Sequence, residues 1–186
     1  MGMLEIVNPL AFELEGFEYN IIPQLHTDIE TLCEYWQAME AADTLKYRWA
    51  AMEEPTWRKA IGALNEKVSL MFSILDWQDE MVAEFALENF TGKAAQIHFS
   101  MRPSNDTKTN LLLANTVIGL ILERWKSAVD PSKPYLETIY GLTPVLNRVA
   151  CLFVLRSGMK KVGILPNGVD YLGEVCDALV TIRTRT

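Results

Sequence analysis

Between Leu111 and Leu122 the chain reads LLLANTVIGLIL, a run with almost no polar face at helical spacing. A helix that is apolar on most sides has to be buried on most sides. The run is interrupted by Asn115 and is too short for a bilayer span, so it must be enclosed by protein. What precedes and follows it says how. Ala94–Met101 alternates, with Ile97, Phe99 and Met101 on one face of a strand and Gln96, His98 and Ser100 on the other. Tyr135–Leu142 reads as another strand. Strand, long crossover helix, strand is the arrangement that places two strands parallel in one sheet, with the helix packed on its face.

The rest of the chain adds elements on both sides of that unit. Phe17–Ile22 reads as a strand, and Thr27-Asp28-Ile29-Glu30 as a capping box opening a helix with Ile29, Leu32, Cys33 and Trp36 at helical spacing. Pro55-Thr56 opens a second helix with Trp57, Ala60, Ile61 and Leu64 on one face. Strands are expected at Val68–Leu75 and Met81–Asn89, ahead of the one at Ala94. After Leu142, Thr143 as cap and Pro144 at the first helical position predict a helix that stops at Gly158. Strands at Lys160–Val169 and Glu174–Arg183 then join near Tyr171-Leu172-Gly173, with Asn167-Gly168 as a second turn signal. The order β-α-α-β-β-β-α-β-α-β-β predicts an α/β (α+β) fold with a mixed, mostly antiparallel central sheet and helices on both faces. No linker is visible, so residues 1–186 read as a single domain with 1–15 as an N-terminal extension.

A length of 186 residues with a 49% hydrophobic fraction suffices for one sizeable core. The formal net charge of −7 argues against a nucleic-acid binder and suits a cationic acceptor such as an amine. Cys33, Cys151 and Cys176 are far apart, and only His26 and His98 are present, so no metal site is expected. No basic region leads into a long apolar stretch at the N-terminus, and a cytoplasmic protein without membrane segments is expected. A homodimer is compatible with all of this.

One segment, Asn147-Arg148-Val149-Ala150 through Ser157-Gly158-Met159, is similar to a pattern of the GNAT superfamily of N-acyltransferases. That pattern has Asn, a small residue three later, then Gly and an apolar residue at plus eleven and plus twelve. The trailing Lys160-Lys161-Val162-Gly163, Gly173 and Asp177 also resemble how these proteins end, and the element order resembles the complete fold over about residues 16–184. The resemblance implies transfer of an acetyl group from acetyl-CoA, or another acyl-CoA, to a primary amine on a small molecule or peptide. It implies that pantetheine lies along the strand end at Phe99 to Met101, and that the diphosphate sits on Asn105, Asp106, Thr107, Lys108, Thr109 and Asn110 at the following helix's N-terminus. It also turns Asn147 towards the splayed strands.

Two departures accompany it. No glycine occurs between Gly92 and Gly119, so the loop lacks the residues that let backbone approach phosphate, and Asp106 brings a negative charge there. Val154 stands where many members carry a Tyr that protonates the leaving thiolate. A second reading therefore stands beside the enzyme: a catalytically inactive GNAT-fold binding module, or a phage virion-associated structural protein. The stretches LTPVLN and SGMKKVGILP resemble phage-encoded proteins of this kind.

For chemistry, His98 is the candidate base, since its pKa can suit neutral pH. Glu84 and Glu88 share a face of the preceding strand and are candidates to act through water, and Ser100 is a candidate oxyanion donor. For each, the structural reading is the stronger one: a histidine hydrogen-bonded on a sheet face, a solvated pair at a sheet edge, and an ordinary strand hydroxyl. Trp36 and Trp57 fall at core positions of amphipathic helices. Tyr47 and Trp49 lie between the first two helices, where the resemblance puts the acceptor, and are the candidate substrate contacts.

Overall fold

The computed structural model describes residues 10–48, 54–59, 70–125 and 135–185. Among these, eight strands form one sheet in the order β1-β2-β3-β4-β5-β6-β8-β7. They are β1 (Leu10–Leu14), β2 (Phe17–Pro23), β3 (Leu70–Leu75), β4 (Met81–Thr91), β5 (Ala94–Met101), β6 (Thr138–Pro144), β7 (Lys160–Tyr171) and β8 (Glu174–Thr184). Every neighbouring pair is antiparallel except β5 and β6. The helices are α1 (Ile29–Ala41), α2 (Leu45–Arg48), α3 (Thr107–Arg124) and α4 (Arg148–Arg156). No described helix is long and apolar enough to cross a membrane.

Side-chain alternation assigns the two faces. Phe72 of β3, Phe85 of β4 and Phe99 of β5 are cross-strand partners, with ring centroids 4.7 Å apart for the first pair and 5.9 Å for the second. They and their neighbours Ile74, Leu87 and Ile97 pack on α3, which buries Leu113, Ala114, Val117, Ile118, Leu120, Ile121 and Leu122. Each such Leu or Ile removed from water contributes about 1.5–3 kcal/mol, which is why the apolar run forms a helix only on a sheet. The opposite face carries the alternate residues and is covered by α1 through Leu32, Tyr35, Trp36 and Met39.

Four expectations are corrected. Leu10–Leu14 is not an extension: it pairs along its whole length with β2, because its own alternation buries Phe12 beside Tyr19. The helix expected from Thr143-Pro144 begins at Arg148, since β6 runs through Pro144 and Asn147 caps the helix by accepting from Ala150 N–H at 3.0 Å. A proline fixes φ equally well for a strand end, and Pro144 lies on the part of β6 where no β5 partner asks for its missing N–H. In the capping box, Asp28 rather than Thr27 is the cap, accepting from Glu30 and Thr31 N–H, while the Thr27 hydroxyl donates to Ser73 at 2.7 Å. Gly158 does end α4, at φ 90. Asn167-Gly168 is a register shift within β7 rather than its turn. Most of the second expected helix, with Ala60, Ile61 and Leu64, lies outside the described residues.

Candidate active site

The parallel pair is short. Ala94, Ala95 and Gln96 pair with Thr138, Ile139 and Tyr140, and then β5 and β6 separate. From Ile97 onward the β5 edge that faces β6 has no strand partner among the described residues, and the same holds for the β5-facing edge of β6 from Gly141. The gap opens into a cavity of about 310 Å³. Its walls include Phe99 of β5, Gly141 to Pro144 of β6, and Ala150, Phe153 and Val154 of α4. Such a slot presents unpaired backbone along one side and apolar side chains along the other, which suits an extended amide-containing chain.

At one end of the slot stands a polar group. His98 Nε2 contacts Glu88 Oε1, and Gln96 Nε2 lies 3.0 Å from the same ring nitrogen. Asn89 Nδ2 donates to Gln96 Oε1 at 2.8 Å and so fixes that amide. The carboxylate is the stronger partner because the bond is charge-assisted. An Nε2–H donating to Glu88 leaves Nδ1 with the lone pair of a base. Across the cavity Tyr47 of α2 stacks on Tyr171 at the end of β7, with centroids 6.5 Å apart and planes 16° from parallel. Burial, then the neighbouring Tyr47, pushes the Tyr171 phenol above its ordinary range. Asp170 also lines this end.

Beneath α2 lies a second polar group, centred on Glu84, which does not itself line the cavity. Glu84 is fully buried and accepts from Arg48 Nε at 2.5 Å and from Gln24 Nε2 at 3.1 Å. Arg48 itself lines the cavity, so this pair pins the α2 side of the mouth to the sheet.

The residues singled out from sequence divide accordingly. His98, Phe99, Asn147 and Tyr47 line one cavity. Asn147 spends Oδ1 on the α4 cap. Trp49 lies outside the described residues. Glu84 and Ser100 face each other across β4 and β5 on the α1 side, both buried, and neither lines the cavity. Glu84 is therefore placed as an anchor for Arg48, and the carboxylate beside His98 is Glu88. Met101 packs against the α3-side core rather than lining the cavity.

Asn105, Asp106, Thr107, Lys108, Thr109 and Asn110 do not line the cavity either. Asp106 caps α3, accepting from Lys108 N–H at 2.9 Å, Thr109 N–H at 3.0 Å and the Thr109 hydroxyl at 2.6 Å. Lys108 Nζ pairs with Glu15 in the β1–β2 turn, and Asn105 Nδ2 donates to Val82 and Asn110. The first-turn amides that would receive an anionic diphosphate are thus already bound to a carboxylate of the chain. The slot fits a pantetheine arm, and the α3 N-terminus as folded does not fit the diphosphate.

Arg48, Asp170 and Tyr171 were not foreseen as site residues. Arg48 directly follows Tyr47, and Asp170-Tyr171 flank the Leu172-Gly173 turn, so adjacency to a substrate candidate and to a hairpin tip were the available signals.

No protein-family sequence model matches the chain, and no curated protein matches it in sequence. Solved structures do. An acetyltransferase from Salmonella typhimurium that modifies the N-terminal serine of ribosomal protein L7/L12 superposes with TM-score 0.70 at 12% identity, over 90% of this chain and 95% of that one. A GNAT-family acetyltransferase from Bacillus anthracis gives 0.68 at 13%, over 94% and 98%. Spermidine N-acetyltransferase from Vibrio cholerae, solved with CoA and spermine, gives 0.64 at 15%, over 89% and 95%. With a single parallel pair that splays at the centre of an otherwise antiparallel sheet, and with neighbours matched along nearly their whole length, the chain has the fold of the GNAT acetyltransferases.

Proposed function

We propose that the protein is a cytoplasmic acyl-CoA-dependent N-acyltransferase that transfers an acetyl or other acyl group to a primary amine. The observation that carries this reading is the separation of β5 from β6 after Gln96 and Tyr140, which opens the slot and sets His98 at its end. The slot would hold the pantetheine arm of the donor, which supplies the activated acyl thioester. His98 accepts the proton that the attacking amine releases, through Nδ1. Glu88 fixes the ring tautomer and stabilises the imidazolium that forms. Tyr47, Tyr171 and Asp170 form the acceptor mouth, where ring faces and a carboxylate favour a cationic amine over a neutral or acidic acceptor. The Salmonella and Vibrio proteins, acting on an N-terminal serine and on spermidine, support an amine as acceptor.

One observation favours the second reading, a non-catalytic GNAT-fold binding or virion-associated module: Asp106 holds the α3 amides. Incubation with acetyl-CoA and a panel of peptide and polyamine acceptors, read by mass spectrometry, separates the two. Acetylated product that disappears in His98→Gln supports the enzyme. Failure of every acceptor, together with no CoA binding by calorimetry, supports the module.

A further inference from the structure

A second cavity of about 250 Å³ lies between the β1–β2 turn, the β3–β4 turn and the first turn of α3. It shares no lining residue with the slot. Its apolar wall is aromatic: Phe17 stacks on Trp77 with centroids 4.2 Å apart, and Tyr19 meets Trp77 edge-on at 6.3 Å and 88°. Phe17 is 47% exposed and Trp77 52%, so two large rings are held open to solvent at turn tips. Such rings are normally covered, and their stacking on one another leaves ring surface facing the cavity.

The polar wall is acidic. Glu15, Asp76 and Asp106 all line the cavity. Tyr19 is only 6% exposed, yet its hydroxyl makes no hydrogen bond to a described residue. Burial, then Asp76, Glu15 and Asp106 in turn, pushes its phenol up, so the hydroxyl sits within the field of all three carboxylates. Tyr19 lines the negative, ring-bearing cavity, and its hydroxyl is open to a ligand there.

The chemistry of that partner follows from how the carboxylates are used. Asp76 Oδ1 accepts from Gln78 and Glu80 N–H, Asp106 caps α3 with both oxygens, and Glu15 pairs with Lys108. Their lone pairs are largely committed, which disfavours a small metal ion needing a full shell of oxygens. An anion is repelled. A bulky organic cation needs only field and ring faces, and its carbon atoms pack on Phe17, Trp77, Leu14 and Val82.

We propose that this cavity is a binding site for an alkylammonium group, with Phe17, Tyr19 and Trp77 as the ring cage and Glu15, Asp76 and Asp106 as the countercharge. A free amine and a lysine side chain both present that group. Choline and Nα-acetyl-lysine methylamide are the probes that distinguish them, the tighter of the two naming the source. Lys108, paired with Glu15, is the protein's own competing cation.

Calorimetry on the full chain tests the site. Choline or the lysine derivative is expected to bind, and 3,3-dimethylbutan-1-ol, which has the shape of choline without its charge, is not. Trp77→Ala and Phe17→Ala each weaken binding by about fivefold to tenfold, the loss of one ring face, and both side chains are half exposed so that folding, checked by Tm, is kept. Lys108→Ala tightens binding by several-fold, because it frees Glu15. Equal binding of the uncharged isostere overturns the proposal. So does binding that neither ring variant changes, and so does no binding of either cationic probe.

Discussion

The Asp106 carboxylate is bound twice by Thr109, through its backbone N–H at 3.0 Å and through its hydroxyl at 2.6 Å. In a fold whose donor would place a diphosphate on those amides, the chain has put its own anion there. If the amides can serve a donor at all, Asp106 must be displaced first. Replacing Asp106 with Gly, a tolerated N-cap residue, is therefore expected to tighten CoA binding by about tenfold, the worth of one regained bond to a charged group. Calorimetry with CoA on the wild type and Asp106→Gly measures it. Unchanged or weaker binding would show that the diphosphate is carried elsewhere.

The same contact predicts a pH effect on stability. Thr109, first through its hydroxyl and then through its N–H, followed by Lys108 N–H, holds the Asp106 carboxyl below its ordinary 3.8. A folded-state pKa depressed in this way contributes stability that is fully present above the unfolded value and lost as pH falls through the folded one. The Tm gap between wild type and Asp106→Ala should be constant at neutral and mildly acidic pH. It should begin to narrow as pH falls below about 4, where the unfolded chain takes up the proton, and close only below the depressed folded value, where the carboxyl is protonated in both states. A gap that persists in acid would assign the effect to packing.

If His98 is the base, His98→Gln should lower kcat by about 10²–10⁴-fold while leaving KM for the acyl donor nearly unchanged. Glu88→Gln should cost less, because an amide oxygen still accepts from Nε2–H but no longer stabilises the imidazolium. A Glu88→Gln variant with unchanged kcat would leave Glu88 a packing role only.

The sheet was legible because each strand's alternation is tied to burial: Ile97, Phe99 and Met101 had to face α3 whatever the details, and the apolar run of α3 demanded a sheet to lie on. The crossover then left one parallel pair. What stayed hidden was long-range. Tyr47 meets Tyr171, and Arg48 meets Glu84, only through tertiary packing that no local spacing encodes. Glu84 and Glu88 look alike in the sequence, each four apart on one strand face. Arg48 claims the first and His98 the second, so one is an anchor and the other belongs to the site. The α4 start was misread for a local reason, since Thr143-Pro144 and Asn147 each carry a start signal and the β6–β8 ladder, reaching Pro144 opposite Ala178, decides between them.

The Glu84–Arg48 pair supplies the last expected outcome. Glu84 is fully buried and the Arg48 side chain is 10% exposed, so neither charge can turn to bulk water if its partner is removed. Breaking one side of such a pair costs about 3–5 kcal/mol, whereas replacing both by apolar side chains of similar volume is often neutral. Glu84→Ala should therefore destabilise the protein strongly, and Arg48→Met with Glu84→Leu should restore much of the loss. Gln24 loses its acceptor in both variants, so the recovery is expected to be incomplete. Because Arg48 also lines the mouth of the slot, the double variant should recover stability without recovering acceptor KM. Urea unfolding read beside kinetics separates these effects. A double variant no more stable than Glu84→Ala would show that the loss comes from the Gln24 hydrogen bond and packing rather than from the unpaired Arg48 charge.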